Sequence, residues 1–443
     1  VSPVHHTRRN IMRRPLLQCI KFIHGYMLIA ARLRFTNNPK GSTMPSRRVI
    51  SVCICALLLP VTAITVPTAA NAQSRGAVQD TRPLHTFVDN TPFDLSDATW
   101  FAYDTRDSFG RDISATATLF RATRPWDNTS ERPVVIITPF TQGGDDPCAF
   151  SHTVTQGTHI DPTNPGESAV AAQYYAIHSM LEQGWDVVVP DHPGLGTPDQ
   201  HSYMDNVASG QALLDAATAG LSLLDRPHAP IALTGHSQGA GASAWAAENA
   251  PHYAPKLNIK AAALSAPPYN LPHLAQDVDG KQEVGMLFMA VNTLSRQYPA
   301  VQAEIDRVFT PEGKALLAKA DTMCVPAMFA VIGKHNTRDL TTTGESVFDL
   351  VNRLPDVQKE IQRQRIGLRA PQVPVLMIYH QSDPLVSWED SRALGENWQR
   401  EGGTVRFVDY PRNPVADTLK SAHSETALTP VPDIVAFFKQ EFH

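Results

Sequence analysis

Residues 233–241 read Leu-Thr-Gly-His-Ser-Gln-Gly-Ala-Gly. The apolar run Ile231-Ala232-Leu233 leads into this stretch, and an alanine-rich run at helical spacing, residues 240–250, leads out of it. Strand, Gly-x-Ser-x-Gly, helix is the setting of a nucleophile elbow. In so tight a turn, side chains at positions 235 and 239 would collide with neighbouring backbone, which accounts for Gly235 and Gly239. The turn lifts Ser237 clear of the sheet edge and aims a helix N-terminus at its hydroxyl, where partial positive charge favours a developing anion. The bland alternative is a glycine-rich turn with a chance serine. The flanking strand and helix patterns favour the nucleophile.

Upstream, residues 100–103 and 114–123 alternate as two antiparallel edge strands should. The continuous apolar run Pro133-Val134-Val135-Ile136-Ile137-Thr138-Pro139 predicts a buried strand. It is followed by Phe140-Thr141-Gln142-Gly143-Gly144-Asp145-Asp146, a loop of small residues. A loop in this place donates the second backbone N–H of an oxyanion hole, the first coming from Gln238, the residue after the nucleophile. Thr141 and Gln142 are the candidates, and the residues alone do not choose between them. Helices are predicted over 169–183 and 204–224, with strands over 185–190 and 260–265. The turn Asp191-His192-Pro193-Gly194-Leu195-Gly196 brings His192 to the same sheet edge as Ser237, either to line the site or, more commonly for such a residue, to close the turn. Residues 73–95 are polar and proline-dotted, and read as a mobile N-terminal arm.

Downstream, residues 269–369 carry apolar positions at helical spacing, cut into short helices by prolines 299, 311, 326 and 355. Core strands resume at 373–379, so this region is expected to be a helical insertion forming a cap; the alternative is an extra helical layer with no gating role. Met286, Phe288, Met289 and Phe329 form either an acyl-facing wall or plain core. Asp383 follows the 373–379 strand directly. Its rivals Glu389 and Asp390 fall in the next helix, 388–402. After a last strand at 404–410, His423 is the only histidine before the closing helix at 432–442, placed in a loop. The order Ser237, Asp383, His423 is that of α/β-hydrolase triads. The fold expected is therefore α/β, a mostly parallel central sheet with helices on both faces and an inserted helical cap. Its core spans 73–268 and 370–443.

Composition agrees with a globular protein: 42% of the 443 residues are hydrophobic and 7% aromatic. Ten of the 38 Lys/Arg lie in residues 1–72, which hold no Asp or Glu, so 28 basic residues face 43 acidic ones beyond. That balance excludes a nucleic-acid footprint. Arg47-Arg48, the apolar stretch 49–66 and Ala70-Asn71-Ala72 before Gln73 have the layout of a secretory signal peptide. Pro60 and scattered threonines speak against a permanent membrane span, and no lipid-attachment cysteine stands at the cleavage point. Met44 reads as the start, residues 44–72 as the signal, and residues 1–43 as an upstream leader. Cys19, Cys53 and Cys55 leave with it, so Cys148 and Cys324 remain. An even pair in an exported chain points to a bridge, the other reading being two separate buried thiols. There is no metal-ligand spacing, phosphate loop, dinucleotide fingerprint or repeat, and no cofactor is expected.

With its elbow Gly235-His236-Ser237-Gln238-Gly239, its Asp191 turn, its helical insertion and its Asp383/His423 placement, the chain resembles the secretory lipase family, the lipase A type of fungi with actinobacterial relatives. The resemblance covers roughly residues 95–442. It implies an exported carboxylic ester hydrolase acting on acylglycerols, in transient contact with lipid interfaces, whose cap supplies an acyl tunnel. Cys148 falls where family members carry a disulfide cysteine, which supports pairing with Cys324. One departure stands out: the fungal enzymes use an acidic residue at the oxyanion loop, and the nearest match here is Gln142. An acyltransferase or peptidase on the same fold, and a non-catalytic binding protein, are the alternatives.

Overall fold

The computed structural model describes residues 74–87, 95, 97–126, 130–159, 173–419 and 421–442. The leader and signal-peptide assignments lie outside them, as do residues 169–172 of the first expected helix. Among these residues one nine-stranded sheet runs in the order β1-β2-β3-β5-β4-β6-β7-β8-β9. Its strands are β1 Val78–Leu84, β2 Ala98–Arg106, β3 Asp112–Phe120, β4 Val134–Thr138, β5 Asp186–Pro190, β6 Ile231–His236, β7 Ile259–Ser265, β8 Val375–His380 and β9 Val405–Tyr410. The pairs β1–β2, β2–β3 and β3–β5 are antiparallel; every pair from β5 to β9 is parallel.

Period-2 side-chain alternation divides the central strands between two cores. Val134, Ile136 and Leu233 face one side, packed on helices α3 (Asn206–Leu223), α4 (Gln238–Tyr253) and α12 (Trp388–Arg400). Val135, Ile137 and Ala232 face the other, against α1 (Phe150–Gln156), α2 (Tyr174–Leu181) and α15 (Val431–Glu441). Burial on both faces explains why the central strands read as unbroken apolar runs.

Between β7 and β8 the chain leaves the sheet and forms α5 (Leu271–Val278), α6 (Val284–Gln297), α7 (Pro299–Val308), α8 (Pro311–Ala320), α9 (Val325–Val331), α10 (Val347–Arg353) and α11 (Pro355–Arg363). Prolines 299, 311, 326 and 355 each occupy the first turn of a helix, where a missing N–H costs nothing. The insertion has its own core, in which Phe288 and Met289 are fully buried, so these two are packing residues and not a substrate-facing wall; Met286 packs against the same cluster. Its two ends meet. Gly367 (φ +84°) would bring a Cβ to 2.8 Å from the Tyr269 ring, and its N–H donates to the buried Glu248 carboxylate. A disulfide joins Cys148 to Cys324, the N-cap of α9, with the Cα atoms 5.2 Å apart.

Two expectations need correction. Residues 78–84 are not a mobile arm but the edge strand β1, paired along β2. The pairing is carried by main-chain bonds and by Arg82 stacked 4.0 Å over Trp100, so five consecutive exposed side chains left no alternation to read. His423 lies not in a loop but in the short helix α14 (Ala422–Leu428), preceded by α13 (Pro414–Leu419).

Candidate active site

At the end of β6 the chain makes a tight turn. Ser237 has φ 54° and ψ −122°, a strained backbone for a residue with a side chain, held by its N–H to Ser265 O (2.9 Å) and by its own carbonyl, which accepts from Ala240 and Gly241. A Cβ on Gly235 would lie 2.3 Å from the Gly239 carbonyl, and one on Gly239 would lie 2.2 Å from Thr138 O. Both glycines are therefore demanded by backbone, which cannot move aside.

His423 Nε2 lies 3.0 Å from Ser237 Oγ, and His423 Nδ1 lies 2.8 Å from Asp383 Oδ2. The other carboxylate oxygen of Asp383 accepts the N–H groups of Leu385 (2.9 Å) and Val386 (3.0 Å), which fixes the acid's orientation. An ionised carboxylate only accepts, so Nδ1 carries the proton and Nε2 is left to accept from the serine hydroxyl. The rivals point elsewhere: Glu389 accepts from Ser387, and Asp390 pairs with His273 at 2.7 Å.

The candidate oxyanion loop follows β4. Gln142 folds its side-chain amide back onto Phe140 O (3.0 Å) and offers its carbonyl to Val325 N–H (2.9 Å), while Thr141 Oγ1 is 3.3 Å from the Tyr203 hydroxyl. Gln238, the first residue of α4, is 2% exposed, with its side-chain amide 3.5 Å from His201 Nε2. His192 donates Nε2–H to Pro139 O at 2.8 Å, which ties its turn to the end of β4, while the turn itself is closed by Leu195 N–H on His192 O (2.9 Å). Burial pushes the imidazole of His192 down to about 4 and that of His201 to about 3, so both are neutral near pH 7.

Three positioning contacts had no signal in the sequence. Ser265, at the end of β7, holds Ser237 through its carbonyl and α14 through its hydroxyl, which donates to Thr426 O (2.7 Å); Thr426 Oγ1 in turn donates to His423 O (2.7 Å). The His236 ring packs 4.6 Å from the His423 ring, and burial pushes its imidazole well below the ordinary value. His201 and Tyr203 flank Gln238 and Thr141. Among the described residues no cluster of three or more His, Cys, Asp or Glu is placed to hold a metal ion, and no helix is long and apolar enough to cross a membrane.

A sequence profile of secretory lipases matches residues 163–442, more than half of the chain. The chain belongs to the secretory lipase family. A Mycobacterium tuberculosis protein named "probable inactive lipase" is 31% identical over 238 residues, 52% of this chain and 51% of that one. A secreted triacylglycerol lipase of Malassezia furfur is 24% identical over 304 residues, 67% of this chain and 75% of that one. The chain thus spans about half the length of the first relative and three-quarters of the second. In fold it is similar to Candida antarctica lipase A in its closed state (TM-score 0.71, 20% identity, 85% of this chain and 84% of that one). It is likewise similar to the rice cell wall degrading esterase of Xanthomonas oryzae (TM-score 0.67, 18% identity, 83% of this chain and 100% of that one). These likenesses carry the α/β-hydrolase fold for this chain.

Proposed function

We propose that this secretory lipase family member is an exported carboxylic ester hydrolase acting on lipid esters, acylglycerols among them, through a covalent acyl-enzyme. The observation that carries the reading is the unbroken hydrogen-bond chain from Ser237 through His423 to Asp383. Ser237 attacks the ester carbonyl while His423 takes its proton; His423 then gives that proton to the departing alcohol, and a water molecule repeats the sequence to release the acid. Asp383 holds the tautomer and offsets the imidazolium charge. The Gln238 N–H and an N–H from Thr141 or Gln142 receive the oxyanion, each such donor supplying on the order of a hundredfold or more in rate. The helical insertion serves as the cap over this edge and contacts the lipid. Family membership, secreted relatives and the Cys148–Cys324 bridge support export; the Ala70-Asn71-Ala72 pattern supports cleavage near Ala72-Gln73.

A second reading, a binding protein on the same scaffold, is favoured by the relative named as inactive. One experiment separates the two. A fluorophosphonate is expected to label Ser237, and p-nitrophenyl esters of increasing chain length are expected to be cleaved far faster than peptide amides. No labelling of the folded protein supports the binding reading. Faster product formation with acceptor alcohols, by transfer of the acyl group to them, would mark an acyltransferase instead.

A further inference from the structure

The candidate oxyanion loop is held from two directions, and both holds are fastened to the helical insertion. On one side, the 320–325 segment of the insertion lies directly against the loop. Gly144 N–H donates to Met323 O (3.0 Å), Val325 N–H donates to Gln142 O (2.9 Å), and Gly143 forms an isolated bridge with Cys324. The fit leaves no room for side chains: a Cβ on Gly144 would meet Ala320 O at 2.6 Å, and one on Gly143 would meet Cys148 Sγ at 2.5 Å.

On the other side, residues 201–203 form a strap across both halves of the oxyanion site. His201 donates Nδ1–H to Pro193 O (3.1 Å), which leaves Nε2 as an acceptor facing the Gln238 amide; Tyr203 meets Thr141. The strap is fastened to α6, because Tyr203 N–H donates to Thr293 Oγ1 (3.0 Å). Arg296, one turn further along α6, joins the two holds. Its Nη2 donates to His201 O (2.7 Å) and its Nη1 to Asp321 Oδ2 (2.6 Å). A planar guanidinium reaches two acceptors in fixed relative positions, which a single ammonium does not.

We infer that Arg296 is a positioning residue for the oxyanion site, setting the separation of the Gln238 and 141–142 N–H groups from a place outside the reacting atoms. This rests on the oxyanion roles proposed above. Its consequence is that the insertion is a template for the catalytic edge as well as a cover over it: the 320–325 face stays fixed to the core during turnover. Misplacing reacting groups by about an ångström costs up to about a hundredfold in rate, and a shifted donor weakens transition-state binding more than ground-state binding.

The test uses the full secreted protein. Arg296→Ala is expected to lower kcat on a p-nitrophenyl ester by about tenfold to a hundredfold with KM changed less than about threefold. The rate of Ser237 phosphonylation by a fluorophosphonate, which uses the same donors, falls in parallel. Arg296→Lys, keeping charge without the fork, and Asp321→Asn, keeping the His201 contact, give intermediate losses. Should Arg296→Ala fail to fold, these two variants decide. An unchanged kcat in folded variants, or a loss confined to KM, overturns the inference. Wild-type protein that neither turns over ester nor labels at Ser237 overturns the functional reading instead.

Discussion

Nε2 of His423 lies 3.0 Å from Oγ of Ser237, although 186 residues separate the two. The proton on the far side of that ring is directed by Asp383, and the direction matters as much as the distance. Asp383→Asn presents an N–H to Nδ1, favours the opposite tautomer and leaves Nε2 protonated toward the serine. The expected result is a fall in kcat of about four orders of magnitude, as the same exchange causes in a serine protease triad, with a near-unchanged melting temperature. Ester turnover beside a thermal scan checks it. A loss smaller than tenfold would remove Asp383 from this role.

The elbow makes a stability prediction independent of catalysis. Gly239→Ala places a methyl group 2.2 Å from Thr138 O, a backbone atom inside the sheet. Destabilisation of about 4 kcal/mol or more is expected, seen as lost soluble yield or an early denaturant midpoint. Wild-type stability in this variant would show that the turn is looser than described.

The bridge between Cys148 and Cys324 closes a separation of 176 residues and fastens the insertion beside the 140–146 loop. Cys324→Ser is expected to cost about 2–4 kcal/mol, and dithiothreitol to lower the melting temperature of the wild type by several degrees. Because the bridge adjoins Gly143, kcat should fall in the same variant at temperatures where it remains folded. A melting temperature indifferent to reductant argues against a formed bridge.

Glu248 lies on the elbow helix α4 itself, accepting from Gly367 N–H and from Trp398 Nε1 (3.0 Å), and burial pushes its carboxyl up to about 7. A carboxyl raised above its unfolded value contributes stability that is complete below about pH 4.5 and is lost as pH climbs through about 7. Buried His192 and His201 act in the opposite sense, since their lowered values remove stability as pH falls below about 6.5. The difference in melting temperature between wild type and Glu248→Gln isolates the carboxyl. It should move in favour of the glutamine between about pH 5 and pH 8. A difference that stays constant across that range means Glu248 does not titrate there.

Much of this protein is written locally. The elbow is legible because the collisions that exclude side chains at 235 and 239 involve residues within a few positions and one adjacent strand. The central strands show as apolar runs because both their faces are buried, and the insertion helices are cut at prolines because a first turn needs no N–H from them. The chain order of Ser237, Asp383 and His423 follows from strand ends, which the same runs mark. What tertiary structure alone decided is everything held by partners distant in sequence: β1, ordered by main-chain pairing its side chains do not advertise; Ser265 between Ser237 and the helix that carries His423; the His201–Tyr203 strap; and Arg296 joining that strap to Asp321 of the insertion. Hydrogen bonds to backbone carbonyls place few demands on the residues around them, so contacts of this kind leave no periodic or motif trace until the chain is folded.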